Sequence, residues 1–211
     1  MKVIAIVSLL VGFFFGILIG MNICVEANAS EVDVIAGYDY YKEPNNHNYE
    51  DAWGFTLGLE REIKGNLKGQ LLYKHMTDVI FPSSDDPKGA WGELRGHIPM
   101  GVLKYDMPYN DRVGFFLTSG LGYAVWDFRE NPFLQDRQVT VDVEPSVVVQ
   151  LGLGTSINIG NGWKLNLEGG WFDTDIEKDI SDNQYGIVNI LDSGDIGLQY
   201  YTGRVFVSKD W

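Results

Sequence analysis

The chain has 211 residues, a formal net charge of −13 and one cysteine. That charge argues against nucleic acid as a partner, because nucleic-acid binding rests on basic patches. Cys24 stands alone, so disulfides and multi-thiolate metal sites are excluded.

The first segment is expected to leave the chain. Met1-Lys2 is a short positive start, residues 3–25 are mostly apolar, and Ala27-Asn28-Ala29 fits the small-x-small cleavage pattern. The expectation is a signal peptide over residues 1–29 and a barrel domain over residues 30–211. The alternative is an uncleaved anchor, since residues 3–23 are about long enough to span a bilayer. A lipoprotein signal would need a small residue where Ile23 stands. Beyond residue 29 no apolar run approaches the ~20 residues of a transmembrane helix. A membrane crossing would then require strands closed into a barrel.

Alternation with period two runs through the rest of the chain. In residues 31–41, Val32, Val34, Ala36, Tyr38 and Tyr40 share one face, opposite Asp33, Gly37 and Asp39. Residues 42–50 are polar. In 51–63, Trp53, Phe55, Leu57 and Leu59 oppose Gly54, Thr56, Gly58 and Glu60. Residues 64–66 are a tight turn of types that tolerate positive φ. Residues 67–77 return with Leu67, Leu71 and Tyr73 against Lys68, Gln70 and Lys74. Residues 78–90 are expected as a loop with two prolines. In 91–107, Gly101, Leu103, Tyr105 and Met107 are placed outward, and Pro99 suggests a bulge or a sheet rim.

A turn at 108–111 leads to the clearest strand, 112–128. Its bulky face carries Val113, Phe115, Leu117, Leu121, Tyr123 and Val125, broken only by Ser119; its small-residue face carries Gly114, Thr118, Gly120, Gly122 and Ala124, with Phe116 and Trp126 among them. Such a pair of faces suits lipid on one side and a narrow interior on the other. Residues 129–138 are polar. Residues 139–159 alternate again, with Val147, Val149, Leu151 and Leu153 opposite Glu144, Gln150, Gly152 and Gly154. A turn at 160–162 precedes 163–172, where Trp163, Leu165, Leu167 and Trp171 oppose Lys164, Asn166, Glu168 and Gly170. Residues 174–193 are the longest expected loop, and 195–211 close the chain.

Long and short connections therefore alternate, and the strands number eight. This is the plan of an all-β, eight-stranded antiparallel transmembrane β-barrel with up-and-down meander order, a plan found in outer-membrane barrels. A soluble barrel would carry polar residues on its outer face. Tyr38, Tyr40, Trp53, Trp91, Trp126, Trp163, Trp171 and Trp211 lie near strand ends and suggest two interfacial girdles.

The stretch 98–128 contains Tyr105, a short turn, then Gly120-Leu121-Gly122-Tyr123. It is similar to the central hairpin of the small outer-membrane barrels of Gram-negative bacteria, the OmpA transmembrane-domain, OmpX and OmpW group. Val205, Val207 and terminal Trp211 look like the C-terminal signal read by the barrel-assembly machinery. The resemblance implies an outer-membrane location with both termini in the periplasm. It implies outer-membrane lipid and lipopolysaccharide as surroundings, a monomer, and no cofactor. It leaves the activity open, since the group includes adhesins, structural anchors, small channels and enzymes.

The inward faces hold Glu60, Lys68, Gln70, Lys74, Glu144, Gln150, Lys164, Glu168 and Arg204. They could line a polar pore or gate. The OmpA resemblance implies instead a charge-paired plug, since eight strands leave room for little beyond side chains. Asp173, Asp175, Glu177 and Asp179 alternate in a manner that could collect a hard divalent ion. Lys178 stands where an EF-hand loop needs glycine, so a solvated acidic segment is the simpler expectation and no metal is assigned.

A lipid-A-modifying enzyme is the third possibility. Residues 35–40, IAGYDY, can resemble the opening strand of lipid A deacylases. Their signature of His two residues before a C-terminal Ser is missing: the histidines are His47, His75 and His97, and only Thr77 follows one at that spacing. A distant pairing such as His97 with Ser119 stays open. The leading expectation is a structural or surface-interaction role through the long external loops. A narrow channel for small or apolar solutes comes second.

Overall fold

The computed structural model describes residues 32–42, 51–82, 90–130, 135–136, 140–176, 178–181 and 196–209. They form β1 (Val32–Lys42), β2 (Ala52–Lys64), β3 (Leu67–Pro82), β4 (Ala90–Pro108), β5 (Val113–Glu130), β6 (Thr140–Val143), β7 (Ser146–Gly160), β8 (Trp163–Ile176), β9 (Lys178–Ser181) and β10 (Ile196–Lys209). Eight of these close into an antiparallel barrel in the order β1-β10-β8-β7-β5-β4-β3-β2. Successive barrel strands are sheet neighbours throughout, and β1 meets β10 to close the ring. Closure removes every free edge, which a sheet in lipid requires.

The alternation dictates which face turns outward. Along β5, Phe115, Leu117 and Leu121 are exposed while Phe116, Thr118 and Gly120 are buried. Leu57, Leu103, Leu151, Leu153 and Val205 are likewise exposed, Leu153 to 67%. A wall of exposed aliphatic side chains around a polar interior inverts the soluble pattern and matches a barrel in lipid. At the end joined by short turns, Lys209 lies 5.3 Å from the Trp163 ring. Near the other end, Trp53 packs on Tyr40 at 4.4 Å and on Tyr38 at 5.5 Å. Trp126 falls on the inward face of β5 with Phe116, as its phase predicts, and donates to Ser146 Oγ at 2.8 Å rather than joining a girdle.

The short turns follow their residues. Asn161 and Gly162 both have positive φ, 53° and 76°, the requirement of the hairpin turn whose twist suits the flanking strands. Between β4 and β5, Asn110 Oδ1 accepts from the backbone N–H groups of Arg112 and Val113, each at 2.8 Å.

Several boundaries differ from those expected. Residues 78–82 belong to β3 rather than a loop; the Val79-Ile80-Phe81 run favours strand, at the cost of a register shift between Met76 and Val79. Pro99 makes neither a bulge nor a rim. It sits mid-strand, and the β4–β5 register is the same at His97↔Val125 and at Met100↔Gly122. The expected single strand 139–159 divides at Glu144-Pro145, where proline has no N–H to give a ladder. β6 then leaves the barrel and pairs with β9. β8 continues to Ile176, so the expected loop at 174–193 begins with strand.

Candidate functional site

The chemistry-bearing residues converge in the barrel interior. Glu60, Gln70, Lys74, Gln150, Glu168 and Arg204 are buried there, with Lys68 half-buried beside them. Lys164 is half-buried on the inward face at the short-turn end. Glu144 does not join them. It is exposed in the two-residue break before β7, because Pro145 ends the alternation that placed it inward.

Two polar clusters result. In the first, Glu60 accepts from Lys68 Nζ at 2.7 Å, from Gln70 Nε2 at 2.5 Å and from Lys104 Nζ at 3.3 Å. Lys68 also reaches Asp33 and Asp106, both at 3.5 Å, and Lys104 reaches Asp106 at 3.3 Å. Register assembles this group: Glu60 is the direct partner of Asp33 on β1 and of Gln70 on β3.

The second cluster lies farther from the short turns. Lys74 Nζ donates to Asp39 Oδ1 at 3.1 Å, and the Thr56 hydroxyl donates to Asp39 Oδ2. Arg204 donates to Glu168, which also accepts from Gln150 Nε2 at 3.0 Å and Thr118 Oγ1 at 3.2 Å. Asp39 and Arg204 are direct partners across β1 and β10, and Arg204 and Glu168 across β10 and β8. Two carboxylates therefore meet two cations, and a buried charge is tolerable only when so matched.

Small residues make room for these groups. A Cβ on Gly152 would come within 2.5 Å of both Glu168 Oε1 and Thr118 Oγ1. Aromatic rings pack beside the charges. Tyr41 makes edge contacts with Phe172 at 5.4 Å and Tyr200 at 5.9 Å, and the Arg204 guanidinium lies 4.3 Å from the Phe206 ring centre. Toward the end of the long connections the interior buries Met76, Leu94, Trp126 and Val148 beside the hydrogen-bonded pair Ser146 and Thr174. Lys74 and Asp39 have no side-chain exposure. Eight strands enclose an interior that side chains can fill.

Asp33, Asp39, Lys104 and Asp106 were not singled out in the sequence. Asp33 and Asp39 were legible, being in phase with Gly37 on the inward face of β1. Lys104 was legible in the same way, in the inward phase opposite Leu103 and Tyr105.

The remaining candidates fall elsewhere. Val205 and Val207 face outward on β10; Trp211 lies outside the described residues. Asp173 and Asp175 are strand residues on the outer face of β8, not parts of a wrapping loop. Glu177 and the side chain of Asp179 lie outside the described residues. Among the described residues, no three His, Cys, Asp or Glu side chains group as metal ligands. His97 pairs with Val125 and Ser119 with Leu103. Six residues of strand, roughly 20 Å, separate the two positions, so they form no catalytic pair.

No family model matches the chain, and no curated protein matches it. Solved structures do. The chain is similar to the outer membrane protein OprG from Pseudomonas aeruginosa, with a TM-score of 0.65 and 11% identity over 86% of this chain and 96% of that one. It is similar to Neisserial surface protein A at 0.55, with 9% identity over 89% and 100%. It is also similar to outer membrane protein W from E. coli at 0.52, with 13% identity over 88% and 100%. The fold is that of the small eight-stranded outer-membrane β-barrels.

Proposed function

We propose that this protein is a closed barrel of the outer membrane whose working surface is its long connecting segments. The observation that carries the proposal is the charge-matched interior: Lys74–Asp39 and Arg204–Glu168 occupy the centre, with the rings of Tyr41, Phe172 and Tyr200 packed beside them. A path for ions would have to break both pairs. The interior therefore acts as a structural plug, and no catalytic role or cofactor is part of the proposal.

In this reading both termini and the short turns face the periplasm, and the long segments face outward. Lipopolysaccharide and outer-membrane lipid contact the wall, the C-terminal strand is the assembly signal, and the closed ring works as a monomer. The buried apolar side chains of Met76, Leu94 and Trp126 favour a second reading, a narrow path for small apolar solutes.

Surface labelling of whole cells tests the orientation and the exposed role together. A maleimide that cannot cross the outer membrane should label His47→Cys and Ser84→Cys but not Asn161→Cys. Shortening the labelled segments should then abolish surface interactions while leaving the barrel folded. Labelling at position 161 alone would overturn the assignment of working surface.

A further inference from the structure

His75 on β3 and His97 on β4 are direct partners in the antiparallel ladder, both on the outer wall. Side chains at directly opposed positions project side by side. Their rings lie 4.7 Å apart at 36°. Two imidazoles bound through nitrogens ~2.1 Å from one metal have ring centres roughly 4.5–5 Å apart.

The surroundings hold the pair in place. The Tyr73 hydroxyl is 2.7 Å from His97 Nδ1. When Nδ1–H donates to the phenol oxygen, Nε2 keeps its lone pair, the arrangement by which an outer partner orients a ligating histidine. Phe55 packs against His75 at 5.2 Å on the other side. Arg95, on the same face of β4, is engaged by Glu93 at 3.5 Å.

The height of the pair makes it reachable. Eight residues of β3 separate Leu67 from His75, roughly 20 Å of rise for a strand tilted ~40°. The apolar band of such a barrel is about 25 Å tall. Nearer the short turns the same wall carries Leu71, Tyr73 and Leu103; beyond the pair it carries Thr77, Arg95 and Glu93. The histidines sit where the wall turns from apolar to polar, toward the long connections, and His75 Nδ1 is buried, which leaves Nε2 as its ligating atom.

We infer that His75 and His97 form a two-imidazole site for a borderline divalent transition metal on the outer wall, with solvent completing the coordination. Imidazole pairs favour copper, nickel and zinc, and Cu²⁺ binds most tightly in that series. The site is separate from the interior plug and stands or falls independently of it.

The test is a Cu²⁺ titration of the protein extracted from membranes in chelator-free detergent, followed by electron paramagnetic resonance. The expected result is one Cu²⁺ per barrel with nitrogen coupling from two imidazoles. His75→Gln and His97→Gln should each remove the two-nitrogen pattern and weaken binding on the order of 100-fold. Tyr73→Phe should keep the pattern and weaken binding about tenfold. His47→Gln should change neither. Should a glutamine variant fail to fold, the His47→Gln spectrum decides, since His75 and His97 are then the only histidines left. A two-nitrogen pattern that survives in both folded glutamine variants, or its absence from folded His47→Gln, would overturn the assignment.

Discussion

Lys68 and Lys104 are direct partners across β3 and β4, and Glu60 on β2 accepts hydrogen bonds from both, at 2.7 Å and 3.3 Å. Two like charges facing each other destabilise a sheet, so the carboxylate is what permits the pairing. Glu60→Gln should lower stability by about 3 kcal/mol, the low end for breaking a buried pair, since Lys68 keeps Asp33 and Asp106. Adding Lys104→Met should recover part of that loss. Urea unfolding in detergent micelles reads both, and a Glu60→Gln barrel as stable as the wild type would contradict the clustering.

Asp39 and Lys74 form the most enclosed pair. Asp39→Asn or Lys74→Met alone should cost about 3–5 kcal/mol, because each leaves a buried charge unmatched. The double variant should cost much less than the sum, since an apolar or neutral replacement of a whole buried pair is often tolerated. A double-mutant cycle measures the coupling. Strict additivity would mean that the two side chains do not share a site.

Space divides the glycines into two kinds. Gly152→Val forces a side chain into Glu168 and Thr118 and should cost about 1–3 kcal/mol, as overpacking does. Gly101 has nothing within 4 Å of the corresponding position, so Gly101→Val should stay within about 0.5 kcal/mol of the wild type. Equal losses at both positions would show that inward room is not what the glycine of β7 supplies.

The outer wall gives a complementary prediction. Leu153 is mid-strand on β7 and exposed, so Leu153→Arg should cost about 2–4 kcal/mol in a bilayer. Glu144→Arg should be close to neutral, because Glu144 is exposed beside Pro145 and touches no interior cluster. Refolding yield into lipid vesicles separates the two.

The eight barrel strands, their order and their two faces were legible because lipid contact enforces period-two alternation on every strand. Phe115, Leu117 and Leu121 against Thr118, Gly120 and Gly122 specify β5 almost unaided. Boundaries were less legible where competing signals met. Pro82 and Asp78 hid the extension of β3, and Pro145 broke a pattern that otherwise continued through Glu144. Most inward polar residues were visible by phase, but their partners were not. Pairing depends on register around a closed ring, which brings Asp39 beside Arg204 from opposite ends of the chain. Lys104 was in the inward phase of β4 as well, opposite Leu103 and Tyr105, but nothing in the sequence tied it to Glu60. The histidine pair was visible only as two separate residues until the β3–β4 register joined them.

Single-channel recording in planar bilayers tests the closed interior most directly, after a cold-versus-boiled gel shift shows the purified protein to be folded. A barrel plugged by Lys74–Asp39 and Arg204–Glu168 should give a silent bilayer. Discrete conductance steps that change when Lys74 or Glu168 is neutralised would show that ions pass through these pairs and would move the protein from plug to channel.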